Sequence, residues 1–338
     1  MPAGADAAGR AVRDPAGPAP YGPGGRDPHA VPLRLHHDPA AGVLVVTAGR
    51  TAVARYVYRP DTPAEESPKP YFHPLRTLSG APLGVHRPWD HRWHTGLQFT
   101  WSHLSGDNFW GGPTFDPAAP GDGYVWRRNH GRQVHRGFER CDTAGAGVGF
   151  RERLDWIAAR GERWIDESRT VRCHGVDAHR GLWVLDFGTA LTNVRGAPLH
   201  FGSPTTRGRP GAGYTGLFWR GPRAWTGAPV VAADGSAGDA VMGSQAPWAA
   251  VSGEHDALDG GATVLAYAGT SSAPAPIRWF ARSAEYAALN PSPAFDTEIV
   301  LAAGGTLRLA HRFVFVDKRT EPAELAVLAA EFAPPPGL

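Results

Sequence analysis

GVGFRERLDWIAA (147–159), RWIDESRTVRCHG (163–175) and GLWVLDFGTALTNV (181–194) are three runs separated by short, glycine-containing segments. In the first, Val148, Phe150, Glu152, Leu154 and Trp156 fall on one side of an extended chain. Arg151, Arg153 and Asp155 fall on the other. Side chains on a strand alternate with a period of two, so this spacing predicts strands. Together the runs predict an antiparallel meander, and their length, beyond the usual mode of about five or six residues, predicts a broad sheet.

The same pattern extends in both directions. LRLHHD (33–38), GVLVVTAG (42–49) and TAVARYVYR (51–59) precede it, with turn-forming DPAAG and GR between them. ATVLAYAG (262–269), IRWFARSAEYAAL (277–289) and TLRLAHRFVFVD (306–317) follow it. One helix is expected, in TEPAELAVLAAEF (320–332), where Leu325, Leu328, Ala329 and Phe332 recur at helical spacing. Thr320 is its candidate cap and Pro322 lies in its first turn. The expected class is all-β, a large two-sheet antiparallel β-sandwich with a minor C-terminal helix. Residues 1–28 are Ala/Gly/Pro-rich and read as a disordered tail, leaving 29–333 as a single β-sandwich domain without internal repeats.

Composition excludes several partners. The net charge is +2, from 34 basic and 32 acidic residues, with no run of like charge. Nucleic acid and anionic membranes select concentrated basic surface, so neither is expected. Lysine occurs only at 69 and 318, a bias toward arginine that reads as genome composition. Two cysteines, Cys141 and Cys173, give neither a disulfide framework nor a metal motif and read as buried free thiols, the alternative being a pair across adjacent strands in an oxidising compartment. The first residues lack the apolar segment of a secretory signal, and no run of about 18 apolar residues occurs. A cytoplasmic protein is expected.

The chemistry concentrates in YFHPLRTLSG (71–80) and RPWDHRWHTGLQFTW (87–101). His91 and His94 are three residues apart beside Asp90, between Pro88 and Gly96, so the segment reads as a loop entering a strand. One reading makes a histidine a general acid or base whose tautomer Asp90 holds. A second makes His73, His91 and His94 ligands of a divalent metal, although no HExxH pattern exists. A third makes the cluster a structural corner. Glu152, on the apolar face of its strand, is either paired in the interior or faces a ligand. TTRGRPGAGYTGLFWRGPR (205–223) adds Arg207, Arg209 and Arg220 with Tyr214, Phe218 and Trp219, types that stack on sugar rings and bind their oxygens. Five of the twelve tryptophans, Trp89, Trp93, Trp101, Trp110 and Trp126, gather near the first cluster, as in an aromatic-lined small-molecule site. Neither a GxSxG elbow nor a nucleotide-binding fingerprint is present.

PYFHPLRTLSGAPLG (70–84), RPWDHRWHTGLQFTW and GDNFW (106–110), with GLFWRGPR (216–223), QAPWAAVSG (245–253) and IRWFARSAEYAALNPSPAF (277–295), resemble the PmoA-like family. This is a soluble bacterial family of unknown function, named after a methane-oxygenase subunit. Its members often read DHPHHRGL where this chain reads DHRWHTGL, so Trp93 stands in place of a histidine. The resemblance implies a role in bacterial sugar catabolism and a supersandwich similar to galactose mutarotases. Epimerases of that fold use a histidine acid and a glutamate base, which by analogy of fold would be His91 or His94 and Glu152.

The expectation is therefore a carbohydrate-active protein performing acid/base chemistry, as an epimerase, lyase or glycoside-cleaving enzyme, on a sugar or keto-sugar. His91, His94, Asp90 and Glu152 are its candidate catalytic residues. His73, Arg76, Trp93, Trp110, Trp219 and Arg220 are its candidate substrate contacts, and no cofactor is expected. The alternatives are a non-catalytic sugar-binding or regulatory module, and a metal-dependent hydrolase or lyase using His73, His91 and His94. The oligomeric state is left open.

Overall fold

A computed structural model describes residues 31–256 and 258–335. The tail expected over 1–28 lies outside the described residues. Among the described residues the fold is all-β with one minor α-helix. Every strand pair named below is antiparallel, and two sheets dominate. The meander is present as Gly147–Ile157, Arg163–Asp177 and Leu182–Asn193, strands of 11, 15 and 12 residues. They lie in an eight-stranded sheet with Thr306–Val316, Gly261–Ser271, Trp248–Glu254 and Val230–Ala232 on one side and Arg132–Asp142 on the other.

The second sheet has nine strands. It runs from Ala144–Gly145 through Leu33–Asp38, Val43–Ala48, Thr51–Val57, Tyr71–Leu75, Leu97–Trp101 and Thr215–Arg220 to Ala288–Ser292 and Arg278–Arg282. One hydrophobic core, reaching from Leu33 to Phe315, takes residues from both sheets. Phe99 of the nine-stranded sheet meets Trp156 and Phe187 of the other, with ring centroids 6.1 and 5.3 Å away. The helix Pro322–Glu331 covers the opposite face of the eight-stranded sheet. There Leu325, Leu328 and Ala329 share a cluster with Leu182, Val184, Leu265 and Val314.

Two expectations change here. Glu321, not Thr320, occupies the helix N-cap position, and no side chain caps it, while the Thr320 hydroxyl is buried without a partner. Cys173 is buried but Cys141 is exposed. Both are free, on strands separated by Gly147–Ile157.

Polar groups also cross the core. Tyr56, from the nine-stranded sheet, donates to Glu152 Oε2 at 2.5 Å, and His135 Nδ1 lies 2.6 Å from Glu152 Oε1. Beside them Arg169 donates to both oxygens of Glu167, at 2.8 and 3.0 Å, and to the Tyr56 hydroxyl at 3.0 Å. Trp156 and Thr189 also donate to Glu167. Glu152 and Glu167 are fully buried, so they persist as acceptors only because each is met by donors. Removing one partner of such a buried pair costs about 3–5 kcal/mol. Arg169→Met is expected to lower unfolding stability by that order in urea titrations, and Arg169→Met with Glu167→Leu to recover part of the loss.

Candidate functional site

The pleat of the nine-stranded sheet sends alternate residues to its two faces. Leu97, Phe99, Trp101, Leu217 and Trp219 enter the main core. Phe218, Phe280 and Ala288 belong to a separate cluster with Trp110, Tyr286 and Phe295, against which Trp93 and Tyr214 pack. A cavity of about 270 Å³ opens here, lined by His91, Trp93, His94, Trp110, Tyr214 and Tyr286, with Asn108, Ser102, Arg207, Arg209 and Asp122 among its polar groups.

The loop carrying the histidines is tied down along its length. His86 and Thr95 form a β-bridge, Arg87 N–H donates to His94 O at 2.8 Å, and His94 N–H donates to His91 O at 2.9 Å. Arg87 grips buried Glu66 through two bonds, of 2.8 and 2.7 Å. Gly112 (φ +72°) lets Trp93 lie against the backbone, since a Cβ there would come within 2.5 Å of the indole. Asn108 accepts from the N–H groups of Trp110 and Gly111, both at 2.9 Å, and so sets the turn that presents Trp110. Below Trp110, Lys69 donates to the carbonyls of Glu66, Ser67 and Trp110, at 2.8, 3.0 and 2.9 Å. Burial brings its ammonium down to about 7, with Glu66 opposing.

His91 and His94 stack with centroids 4.9 Å apart, and His94 rests on Phe218 at 4.8 Å. Nδ1 of each is buried without a hydrogen-bond partner. Burial holds His94 well below the ordinary histidine value, helped by the charges of His91 and Arg220. Burial also lowers His91, against the pull of Asp90. Asp90 Oδ2 is 3.4 Å from His91 Nδ1, an electrostatic contact, and Oδ1 pairs with Arg223 at 2.5 Å. Burial pushes the Asp90 carboxyl up, but its own backbone N–H, Arg223 and His91 outweigh this and leave it low.

The structure thus brings together His91, His94, Asp90, Trp93 and Trp110. It separates the others. Glu152 belongs to the interior network described above. Trp219 is in the main core, donating to Leu83 O at 2.6 Å. Arg76 donates to Gly80 O at 3.0 Å, away from the cavity lining. His73 stacks on His86 at 5.0 Å, and burial lowers it to about 4. Among the described residues no group of three or more His, Cys, Asp or Glu is placed to hold a metal ion, so His73, His91 and His94 do not form the expected ligand set. Arg220 does not line the cavity, but its guanidinium lies over the Tyr286 ring at 3.6 Å. Tyr286 and Asn108 carry no assignment from sequence. Asn108 has a signal, an asparagine in a turn ahead of an aromatic pair, whereas Tyr286 in RSAEYAAL has none.

These features define an all-β sandwich with an aromatic, histidine-bearing cavity on the outer face of one sheet. The chain belongs to a family of unknown function (DUF6807), whose sequence model matches residues 43–330. That match corrects the expected family: it is not the PmoA-like one. No curated protein matches the chain. Among solved structures, an α-galactosidase from Lactobacillus brevis is similar over 79% of this chain and 38% of its own, with 9% identity and a TM-score of 0.37. A GH36 α-galactosidase, AgaA, from Geobacillus stearothermophilus, in complex with 1-deoxygalactonojirimycin, is similar over 80% and 40%, with 13% identity and a TM-score of 0.37. The chain spans less than half the length of either, and no activity follows from so distant a likeness. No helix among the described residues is long and apolar enough to cross a membrane.

Folded His94 stays neutral below the ordinary value of 6.5, whereas the unfolded chain protonates it there. The unfolded state then binds more protons, so this contribution to stability is full above 6.5 and is lost as pH falls below it. Thermal melts are expected to show Tm falling on acidification, with a shallower fall for His94→Phe.

Proposed function

We propose that the chain is a cytoplasmic carbohydrate-active protein that holds one sugar unit in the His91/His94 cavity and performs proton transfer on it. The supporting observation is the stacked, neutral histidine pair, with Nδ1 atoms free of hydrogen bonds, inside a cavity walled by Trp93, Trp110, Tyr214 and Tyr286. Aromatic faces suit the C–H faces of a sugar, and Asn108, Ser102 and the arginines suit its hydroxyls. Small-molecule pockets run to roughly 300–1,000 Å³, so a cavity of about 270 Å³ suits a monosaccharide better than a longer chain.

In this reading His91 is the proton-handling residue. Its Nδ1 faces Asp90, which favours the proton there and leaves Nε2 as the basic nitrogen. Epimerisation, elimination and glycoside cleavage all need such a group. A second reading, a sugar-binding module without turnover, is favoured by one observation: Glu152, the expected partner base, is buried in the interior network.

Ligand-observed NMR against neutral, acidic and keto sugars, followed by turnover assays on those that bind, tests both readings. His91→Ala is expected to keep binding and to lose turnover by about 10²–10⁴-fold, the usual contribution of a general acid or base. Turnover unchanged in His91→Ala removes the proposed role, and binding without turnover in the unmutated protein selects the second reading.

A further inference from the structure

Arg220 is a buried cation without an anion. It ends the strand Thr215–Arg220 and is 1% exposed, and neither Nε nor Nη1 has a hydrogen-bond partner. The other buried arginines among the described residues each grip a carboxylate through two bonds: Arg169 holds Glu167, and Arg312 holds Asp186 at 2.6 and 2.9 Å. Asp90 is the acid whose charge reaches Arg220, and it is already paired with Arg223. Burial lowers the Arg220 guanidinium to about 10, with Tyr286 and Asp90 opposing, so it still carries its charge at neutral pH. An unpaired buried charge is costly and is not explained by folding alone.

Its surroundings point to a ligand. The guanidinium lies against the Tyr286 face at 3.6 Å, so its N–H donors point outward in its own plane. Each two-donor edge includes Nε or Nη1, so neither edge holds a carboxylate of the protein. The Tyr286 ring, which lines the cavity, also has His91 and His94 at 5.6 and 5.8 Å. Arg220, with Nε and Nη1 buried and without hydrogen bonds, and His94, with Nδ1 likewise, therefore meet at one cavity-lining ring, beside His91, whose Nδ1 faces Asp90. The cavity adds Arg207 and Arg209 against a single acid, Asp122.

We propose that the ligand of this cavity carries a carboxylate, as a sugar acid does, and that Arg220 receives it past the edge of Tyr286. The inference rests on the sugar reading above for the rest of the ligand. A planar two-oxygen acceptor matches an edge of the guanidinium, as Glu167 and Asp186 do elsewhere in this protein.

Calorimetric titration with matched probes tests it: glucose and glucuronate, galactose and galacturonate, glucose 6-phosphate, and acetate. A uronate is expected to bind at least about tenfold more tightly than its neutral counterpart, as one charge-assisted bidentate pair allows. Arg220→Met is expected to abolish that preference by weakening uronate binding more than neutral-sugar binding, and to melt no lower than the unmutated protein. Arg220→Lys, which keeps the charge without the fork, is expected to retain part of the preference and serves if Arg220→Met does not fold. Equal binding of uronates and neutral sugars, a preference that survives both substitutions, or a stronger preference for the phosphate overturns the inference while leaving the sugar reading intact. Arg220-dependent binding of acetate with no sugar bound supports the carboxylate receptor and removes the sugar reading. Binding of no probe overturns both.

Discussion

Side chains on a strand must alternate between its two faces, and the nine-stranded sheet turns that constraint into a division of labour. Trp219 goes to the core while Phe218 and Arg220 go to the outer face. Leu97, Phe99 and Trp101 go inward, and Gln98 and Thr100 lie between them in the pleat. A shift of one residue would exchange the two sets along a whole strand. The core-facing aromatics therefore hold the register that places Phe218 beneath His94 and Arg220 beside Tyr286.

Around the cavity the outer face is covered by loops and the small ladder of Thr114–Phe115 with Tyr124–Val125, and loops need anchors. Glu66 and Arg87 tie the histidine loop to the short 3-10 turn at Ala64–Glu66, and Asn108 fixes the turn before the cavity. These polar anchors are satisfied, whereas His91, His94 and Arg220 keep buried nitrogens without hydrogen bonds. Glu152, Glu167 and Asp186 are fully paired elsewhere, so Arg220 differs from the other buried arginines among the described residues in lacking an opposite charge on its donors.

The fold is legible in the sequence because it rests on period-two patterning, and Val148 to Trp156 display it openly. The loop that carries His91 and His94 is legible from its Pro88 and Gly96 boundaries, and both residues line the cavity. The failures are of two kinds. Glu152 and Trp219 do lie on strands, but a local pattern does not reveal which face of a sheet meets the cavity and which the core. His73, close in sequence to the histidine loop, stacks on His86 instead of joining His91 and His94, because proximity along the chain does not fix side-chain convergence. Tyr286 lies far from His91 in sequence and meets it only through the pairing of Arg278–Arg282 with Ala288–Ser292 and of that strand with Thr215–Arg220.

Lysine is nearly absent from this chain, which fills almost every basic position with arginine. Position 69 is an exception with a geometric reason. Three carbonyl oxygens converge on one point there, and a compact ammonium with three donors can meet them all. A guanidinium, larger and planar, spreads its donors too widely for that point. Compositional drift toward arginine, which costs little on the surface, meets a steric veto beneath Trp110.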